Sequence, residues 1–460
     1  MADPRIIVVG AGPAGTRAVE TLVAAGLRPT VIDEAPRSGG QIYRRQPANF
    51  TRSHEILYGA EAAKARALHE TFDALAQYVD YRPETLAWAV KGGLVHIQKD
   101  LRVEALAYDA LLIASGATDR LMPLPGWTFP GCYSLGAAQI ALKAQGCAIG
   151  EKVVFLGTGP LLHLVAWQYL KAGNPPAAVL DTSSVAHNLQ GLPLMMARPG
   201  QLLKGARFMA ALQRAGVPVL RGVEPLAVLG SGETGVTGVD FRDANGQERQ
   251  IDCNALGMGY HLRAESQLAD LAGCAFAFDE NVRQWLPDID AMGRSSVANV
   301  YLAGDGVRIL GADGAEAAGA LAAHALLSDI GRPLPLEQTR RLQRQLARHA
   351  RFARGIAKAF PWPWQQVASL PDATLVCRCE AVTAGELRGA VQAMHAPEVN
   401  RAKAFSRVGM GRCQGRFCGL ASQEIVAAAR NAPVSASGRL RGQAPVKPLP
   451  VAVTQDDAHG

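Results

Sequence analysis

An apolar run, Ile6 to Val9, ends at Gly10-Ala-Gly12-Pro-Ala-Gly15 and gives way to helical spacing of Ala18, Leu22 and Val23. A second short strand is expected over Thr30 to Ile32. No other feature restricts the fold as much. Strand, glycine turn, helix and strand in this order read as one unit of a doubly wound, Rossmann-like α/β sheet that binds a dinucleotide. Gly10 permits the tight turn, Gly12 lets the backbone approach a pyrophosphate, and Gly15 lets helix and strand pack closely. The helix N-terminus adds N–H donors and a positive dipole end. Asp33 lies 23 residues after Gly10, where a carboxylate takes ribose hydroxyls, and Glu34 is the spare candidate. An acid at that point argues against a 2′-phosphate.

The pattern returns at 153–181, V-V-F-L-G-T-G-P-L-L-H-L and then A-V-L-D. Gly157 and Gly159 are in place and Asp181 sits 24 residues after Gly157, but Leu162 replaces the third glycine. A branched side chain there pushes helix from strand or forces another phosphate loop. The second fold reads as an inserted NAD-like domain with a damaged fingerprint: a retained scaffold, or a site for another mononucleotide, more than a working NAD site. His163 reads as a surface residue. The segment A-L-G-M-G-Y-H-L at 255–262 reads as the domain's exit, and His261 within it is a candidate to face a flavin.

Two clues concern the first nucleotide. Gly39-Gly40-Gln41 follows the acid closely and suits close approach of a flavin, or is an ordinary tight turn. Downstream, N-V-Y-L-A-G-D-G at 299–306 is a strand that delivers Gly304 and Asp305 to a turn before a small-residue helix from about Gly314. Asp305 is placed to accept from a ribityl chain, or to cap a turn or helix. With L-L-I-A-S-G-A-T at 111–118, these pieces resemble the two-dinucleotide-domain flavoproteins to which glutathione reductase belongs. The resemblance implies FAD in the first fold.

Of eight cysteines, Cys132, Cys147, Cys253 and Cys274 stand alone in apolar or loop contexts and read as small buried hydrophobes. No C-x-x-C occurs, so a dithiol redox pair is absent. The other four cluster as Cys377-x-Cys379 and Cys413-x₄-Cys418. An extended C-x-C puts both thiols on one side. Thr383-Ala-Gly-Glu386 is a capping box that opens a helix. Gly409, Gly411, Gly415 and Gly419 let backbone N–H groups point at cluster sulfurs, and Arg378, Arg412 and Arg416 bring positive charge. A 2Fe–2S cluster is the expected occupant, with structural zinc and unligated thiols as alternatives. The Cys379–Cys413 interval is longer than a zinc ribbon's usual ~15–20 residues.

The chain has 460 residues, a net charge of +7 and a pI near 9.0. The basic residues look scattered and no aromatic-rich basic stripe appears. A solvated basic surface or an acidic protein partner is therefore expected, not nucleic acid. No run approaches the ~18 apolar residues of a membrane span, and no signal peptide is read. A reducing cytoplasm is the expected location.

C-R-C-E with G-M-G-R-C-Q-G-R-F-C-G resembles the ferredoxin-type domain related to bacterioferritin-associated ferredoxin. Its last pair is similar to that of anaerobic glycerol-3-phosphate dehydrogenase and of opine-oxidase-type subunits. With V-I-D-E-A-P-R-S-G-G-Q-I-Y-R-R-Q-P, W-P-W at 362–364 and R-L-R-G-Q-A-P-V-K-P-L-P, nearly the whole chain resembles the α subunit of heteromeric opine, D-hydroxyproline and proline dehydrogenases and of hydrogen cyanide synthase. The resemblance implies FAD, a 2Fe–2S cluster and, in some relatives, FMN at a subunit interface; ATP or NAD fills the first fold in others. It implies a partner β subunit built like D-amino-acid oxidase, in some systems a small ferredoxin-like γ subunit, and an acceptor that can sit at the inner membrane. The catalytic base would lie in the partner, so none is nominated here. A self-sufficient NADH-dependent reductase and a zinc-holding binding subunit compete with this reading. The expected organisation is an FAD domain over 1–122 and 280–345, an inserted domain over 123–279 and a linker over 346–372. A helical cluster domain over 373–432 follows, and then a tail over 433–460 that is disordered or lies on a partner. The linker tryptophans are expected to pack against the flavin domain.

Overall fold

The computed structural model of the chain describes residues 4–47, 49 and 52–450, with the backbone of 454–455. The remaining expected tail, 451–453 and 456–460, and the first three residues lie outside the described residues.

Ile6–Val9 is buried throughout because its β-branched side chains meet helices on both faces of a parallel sheet. That sheet runs in the order Val300–Leu302, Ala110–Ile113, Ile6–Val9, Thr30–Ile32 and Asp80–Arg82. The helices Pro13–Ala24 and Ala312–Asp329 lie against one another. Small residues permit the approach: a Cβ on Gly319 would stand 1.9 Å from the carbonyl oxygen of Ala14.

The second sheet repeats the plan as Val219–Arg221, Ala178–Asp181, Val153–Thr158, Ala255–Tyr260 and Cys132–Ser134. Two short antiparallel strands, Ala117–Asp119 and Leu262–Ala264, carry the chain in and out of it. The inserted unit therefore returns at 262, earlier than the expected 279. Leu268, Ala269 and Cys274 join the core of Ile7 and Leu111 in the first unit. Once Ala255–Tyr260 has paired in the second sheet, the chain crosses over at once.

The expected linker from 346 begins inside a 24-residue helix, Leu336–Ala359. It packs on Val185–Met195 where two glycines meet; a Cβ on Gly191 would stand 2.4 Å from the carbonyl oxygen of Gly355. Beyond it Trp362 is buried with its ring 3.9 Å from the Arg120 guanidinium carbon and 5.7 Å from the Tyr260 ring. Tyr260 belongs to the second sheet, so this tryptophan packs at the junction and not on the flavin domain alone.

The cluster domain is a hairpin, Leu375–Cys377 with Val382–Thr383, and the helices Ala384–Gln392, Val399–Ser406 and Gly419–Ala429. Thr383 and Glu386 form both arms of the capping box. Its core is continuous with that of the second unit. The indole N–H of Trp127 donates to the Leu375 carbonyl at 2.6 Å. Over its described length the tail is held by its own chain at several points. Val446 is 2% exposed, and Arg439 and Arg441 both pair with the buried Asp270. Cys253 and Cys274 are buried as expected, whereas Cys132 is half-buried and Cys147 exposed. No helix among the described residues is long and apolar enough to cross a membrane.

Candidate functional site

The first glycine loop is built by contacts that only hydrogen allows. A Cβ on Gly10 would stand 2.4 Å from the Ala114 carbonyl oxygen, and one on Gly15 would stand 1.7 Å from that of Gly10. Gly12 differs: its nearest neighbour is the Cα of Gly40 at 3.5 Å, and the residue faces open space. Pro13 opens the helix, leaving the N–H groups of its first turn toward that space. Asp33 Oδ2 accepts from Ala11 N at 2.5 Å and Oδ1 from Ala35 N at 2.7 Å. Burial raises its pKa, against the two N–H donors that lower it. Gly39 N donates to the Ala11 carbonyl at 2.9 Å, tying the Gly39-Gly40-Gln41 turn to the loop. Glu34 is ion-paired with Lys447 of the tail.

Asp305 caps its turn and borders the cavity. Its Oδ1 accepts from the N–H groups of Leu310 at 2.8 Å and Gly311 at 3.2 Å, capping the turn. The residue also opens on the space before Gly12, and burial raises its pKa to about 6. Gly304 is pressed against the first helix, where a Cβ would stand 2.8 Å from that of Ala14. Gly10, Gly12, Asp33, Glu34, Gly40, Gln41 and Asp305 thus line one cavity of about 1540 Å³. Gly15 and Gly304 shape it from behind.

The second fingerprint shares the close contact of its first glycine and departs from the pattern after it. A Cβ on Gly157 would stand 1.8 Å from the Gly259 carbonyl oxygen, and one on Gly159 would stand 2.9 Å from the His261 imidazole. Leu162 is fully buried between helix and sheet. His163 is not on the surface: it is buried, with Nε2 3.0 Å from Asp181 Oδ2. Asp181 is fully buried and also accepts from the Thr158 hydroxyl at 3.1 Å and Ser183 N at 2.8 Å. The carboxylate expected to take a ribose is therefore spent inside the fold. Over the loop lies Phe360, whose carbonyl is 2.5 Å from His261 Nε2 and whose ring neighbours both histidines at 6.3 Å. His261 lines the large cavity, and burial lowers its pKa.

At the far end, the four clustered thiols meet. Cys377 faces Cys418 and Cys379 faces Cys413, and Cys418 feels the charge of the other three. The Cys418 thiol and the N–H groups of Gly409, Glu380 and Cys379 hold Cys377 as thiolate, its pKa drawn down to about 6. Beside that thiolate and fully buried, Cys418 is pushed up. Four such sulfurs cannot all carry charge without a counter-cation among them. The thiols form two facing pairs; in a two-iron cluster each iron takes two thiolates. Gly411 leaves room for Cys379, since a Cβ there would stand 2.3 Å from the cysteine's own.

The loop between Cys413 and Cys418 is clamped onto the crossover. Arg263 donates to the carbonyls of Gly415 and Arg416, each at 2.9 Å, and Gln267 to that of Gln414 at 2.6 Å. Arg416 makes a buried two-pronged pair with Glu265 at 2.7 and 3.0 Å. Its charge is thus answered by a carboxylate, not left to bias the thiols as expected. Arg378 lies over the Phe417 ring at 4.4 Å. Arg416 and Phe417 line the large cavity. Leu440 of the tail covers the loop, within 2.5 Å of a Cβ placed on Gly409 or Gly415. Arg263, Glu265 and Leu440 left no local signal in the sequence, because their partners lie in other segments.

Comparison with known proteins agrees with this layout. Residues 4–325 match the family model described as pyridine nucleotide-disulphide oxidoreductase, and 375–428 match the BFD-like [2Fe-2S] binding domain. The chain is 36% identical to the A subunit of opine oxidase from Rhizobium meliloti, over 97% of its own length and 86% of that protein's. It is 30% identical to the HcnB subunit of hydrogen cyanide synthase from Pseudomonas aeruginosa, over 98% of both. The fold is similar to that of L-proline dehydrogenase from P.horikoshii, with a TM-score of 0.69, 18% identity, and 98% of this chain and 79% of that one covered. The chain belongs to the pyridine nucleotide-disulphide oxidoreductase family, as an FAD-dependent oxidoreductase subunit that ends in a BFD-like [2Fe-2S] domain.

Proposed function

We propose that the chain carries electrons through FAD and a 2Fe–2S cluster within a heteromeric dehydrogenase. Its partner subunit, built like D-amino-acid oxidase, would oxidise the C–N bond of an opine, proline, hydroxyproline or glycine to an imine. The two electrons released there pass through this chain to an acceptor. The kinship with the A subunit of opine oxidase and with the HcnB subunit of hydrogen cyanide synthase supports this division of labour.

In this reading Gly10, Gly12 and the helix N-terminus cradle the FAD pyrophosphate. Asp33 takes the ribose, and Asp305 stands at the ribityl chain. Cys377, Cys379, Cys413 and Cys418 hold the cluster. When bound, FAD exchanges two electrons and the cluster one at a time. The observation that carries the proposal is that Arg416 and Phe417, between two of the cluster cysteines, line the same cavity as Gly12 and Asp305. A dinucleotide in that cavity abuts the loop that would hold the cluster. The buried Arg416–Glu265 pair and Arg263 fix that loop, and Leu440 keeps water from it.

The spent Asp181, the buried Leu162 and the overlying Phe360 count against the NADH-dependent alternative. Purified alone, the chain should contain flavin, iron and acid-labile sulfide and should fail to reduce a dye with proline, opines or glycine. Adding the oxidase-like subunit should restore dye reduction. Turnover by the lone chain, or rapid bleaching of its flavin by NADH, would overturn the proposal.

A further inference from the structure

The basic residues are not scattered after all. Helix Leu336–Ala359 exposes Arg340, Arg341, Arg344, Arg348, Arg351 and Lys358 along its outer side. None of them meets a carboxylate among the described residues. At ~1.5 Å per residue the row is roughly 30 Å long. Beside it, locked through Gly191 and Gly355, lies helix Val185–Met195, which has no Asp, Glu, Lys or Arg. Val185, Leu189, Leu192 and Met196 recur at helical spacing and are 56%, 63%, 41% and 56% exposed. Leu203 on the next helix extends the patch at 54% exposed.

Surface helices of soluble monomers rarely present such a stripe. An apolar centre with a charged flank is the anatomy of a protein–protein contact. Nucleic acid would use the cations and leave the apolar stripe in water. The inner side of the 336–359 helix, at Phe352, Ala353 and Ile356, lines the flavin cavity. A protein seated on the outer side therefore stands one helix, ~10–12 Å, from that cavity.

We propose that the paired helices 185–195 and 336–359 form the docking face for the partner subunit that exchanges electrons with the flavin, and that this partner presents an apolar patch bordered by carboxylates. The inference rests on the heteromeric reading above and adds to it the surface and its chemistry. The flavin- and iron-loaded chain, its Arg344→Glu/Arg348→Glu/Arg351→Glu variant and its Leu189→Asp/Leu192→Asp variant would each be titrated with the purified oxidase-like subunit. Titrations would be made at about 0.05 M and about 0.5 M salt. The charge variant should associate ~10–1000-fold more slowly at low salt and lose most of its salt dependence. The apolar variant should bind more weakly at both salts, and both should keep the parent's flavin and iron content. If the parent chain binds and both variants bind like it, the docking face is wrong while the functional proposal stands. If the parent chain fails to bind the oxidase-like subunit, the functional proposal falls, and this inference with it. A parallel arm uses phosphatidylglycerol vesicles. Vesicle binding that the charge variant abolishes, with its affinity for the oxidase-like subunit unchanged, would overturn the proposal in favour of a membrane contact.

Discussion

Gly12 and Gly15 stand three residues apart and fail differently. A side chain at Gly15 drives into the Gly10 carbonyl, while one at Gly12 enters only open cavity beside Gly40. Gly12→Val should leave a folded, iron-loaded chain without flavin, measured as the flavin released on denaturation at unchanged iron content. Gly15→Ala should lower the unfolding temperature itself, since backbone must move. Lys143 makes a second case. It lies on a π-helical turn, Ala141–Gln145, is 6% exposed, lines the large cavity and has the Tyr58 ring at 5.8 Å. Burial lowers its pKa from 10.5 to about 8. The unfolded chain then binds this proton between about pH 8 and 10.5 where the folded one does not, so stability rises with pH across that window. Below pH 8 the whole penalty is present, of order 3 kcal/mol. Lys143→Met should therefore stabilise the chain by up to about 3 kcal/mol at pH 7, with the gain fading toward pH 10.5. Urea unfolding at both pH values checks it; a gain that grew with pH would contradict it.

The crossover pair Ala117–Asp119 and Leu262–Ala264 and the loop 413–418 are joined most firmly through Glu265 and Arg416, each about one-tenth exposed. Removing one partner of such a buried pair leaves an uncompensated charge, costing ~3–5 kcal/mol. Arg416→Met should loosen the cluster loop and speed iron loss to a chelator, and Glu265→Gln added to it should recover part of the loss. Additive losses would show that the two do not act as a pair. At this scale the limits of sequence reading are also plain. The glycine loop and the cysteine spacing were legible because each encodes a local backbone demand. The capping box at Thr383 was legible for the same reason. Glu265 with Arg416 was not, because residues 151 apart meet only in the folded chain. His163 was misread as surface because nothing in its neighbourhood announces that Asp181 turns inward to meet it. The basic row is not legible in the sequence, because its arginines share a face only once residues 336–359 form one helix.

Across the whole molecule, the tail ties the cluster domain to the first unit. Leu440 covers Gly409 and Gly415 in the cluster loop, Arg439 and Arg441 neutralise the buried Asp270, and Val446 fills the core of the first unit. Lys447 then reaches Glu34 at the mouth of the dinucleotide cavity. Deleting the tail from Gly438 onward exposes Asp270 without a partner and empties the Val446 site, so it tests folding and not shielding. Leu440→Ser is the sharper change. It removes an apolar cover worth roughly 1.5 kcal/mol and leaves both arginine pairs intact. Opening of the cluster loop should become about tenfold more frequent. Bleaching of the cluster by a chelator should accelerate by the same factor, while flavin content and unfolding temperature change little. Equal bleaching rates in parent and variant would mean that the cluster loop is sealed by the Glu265–Arg416 clamp alone, and that the tail serves the first unit only.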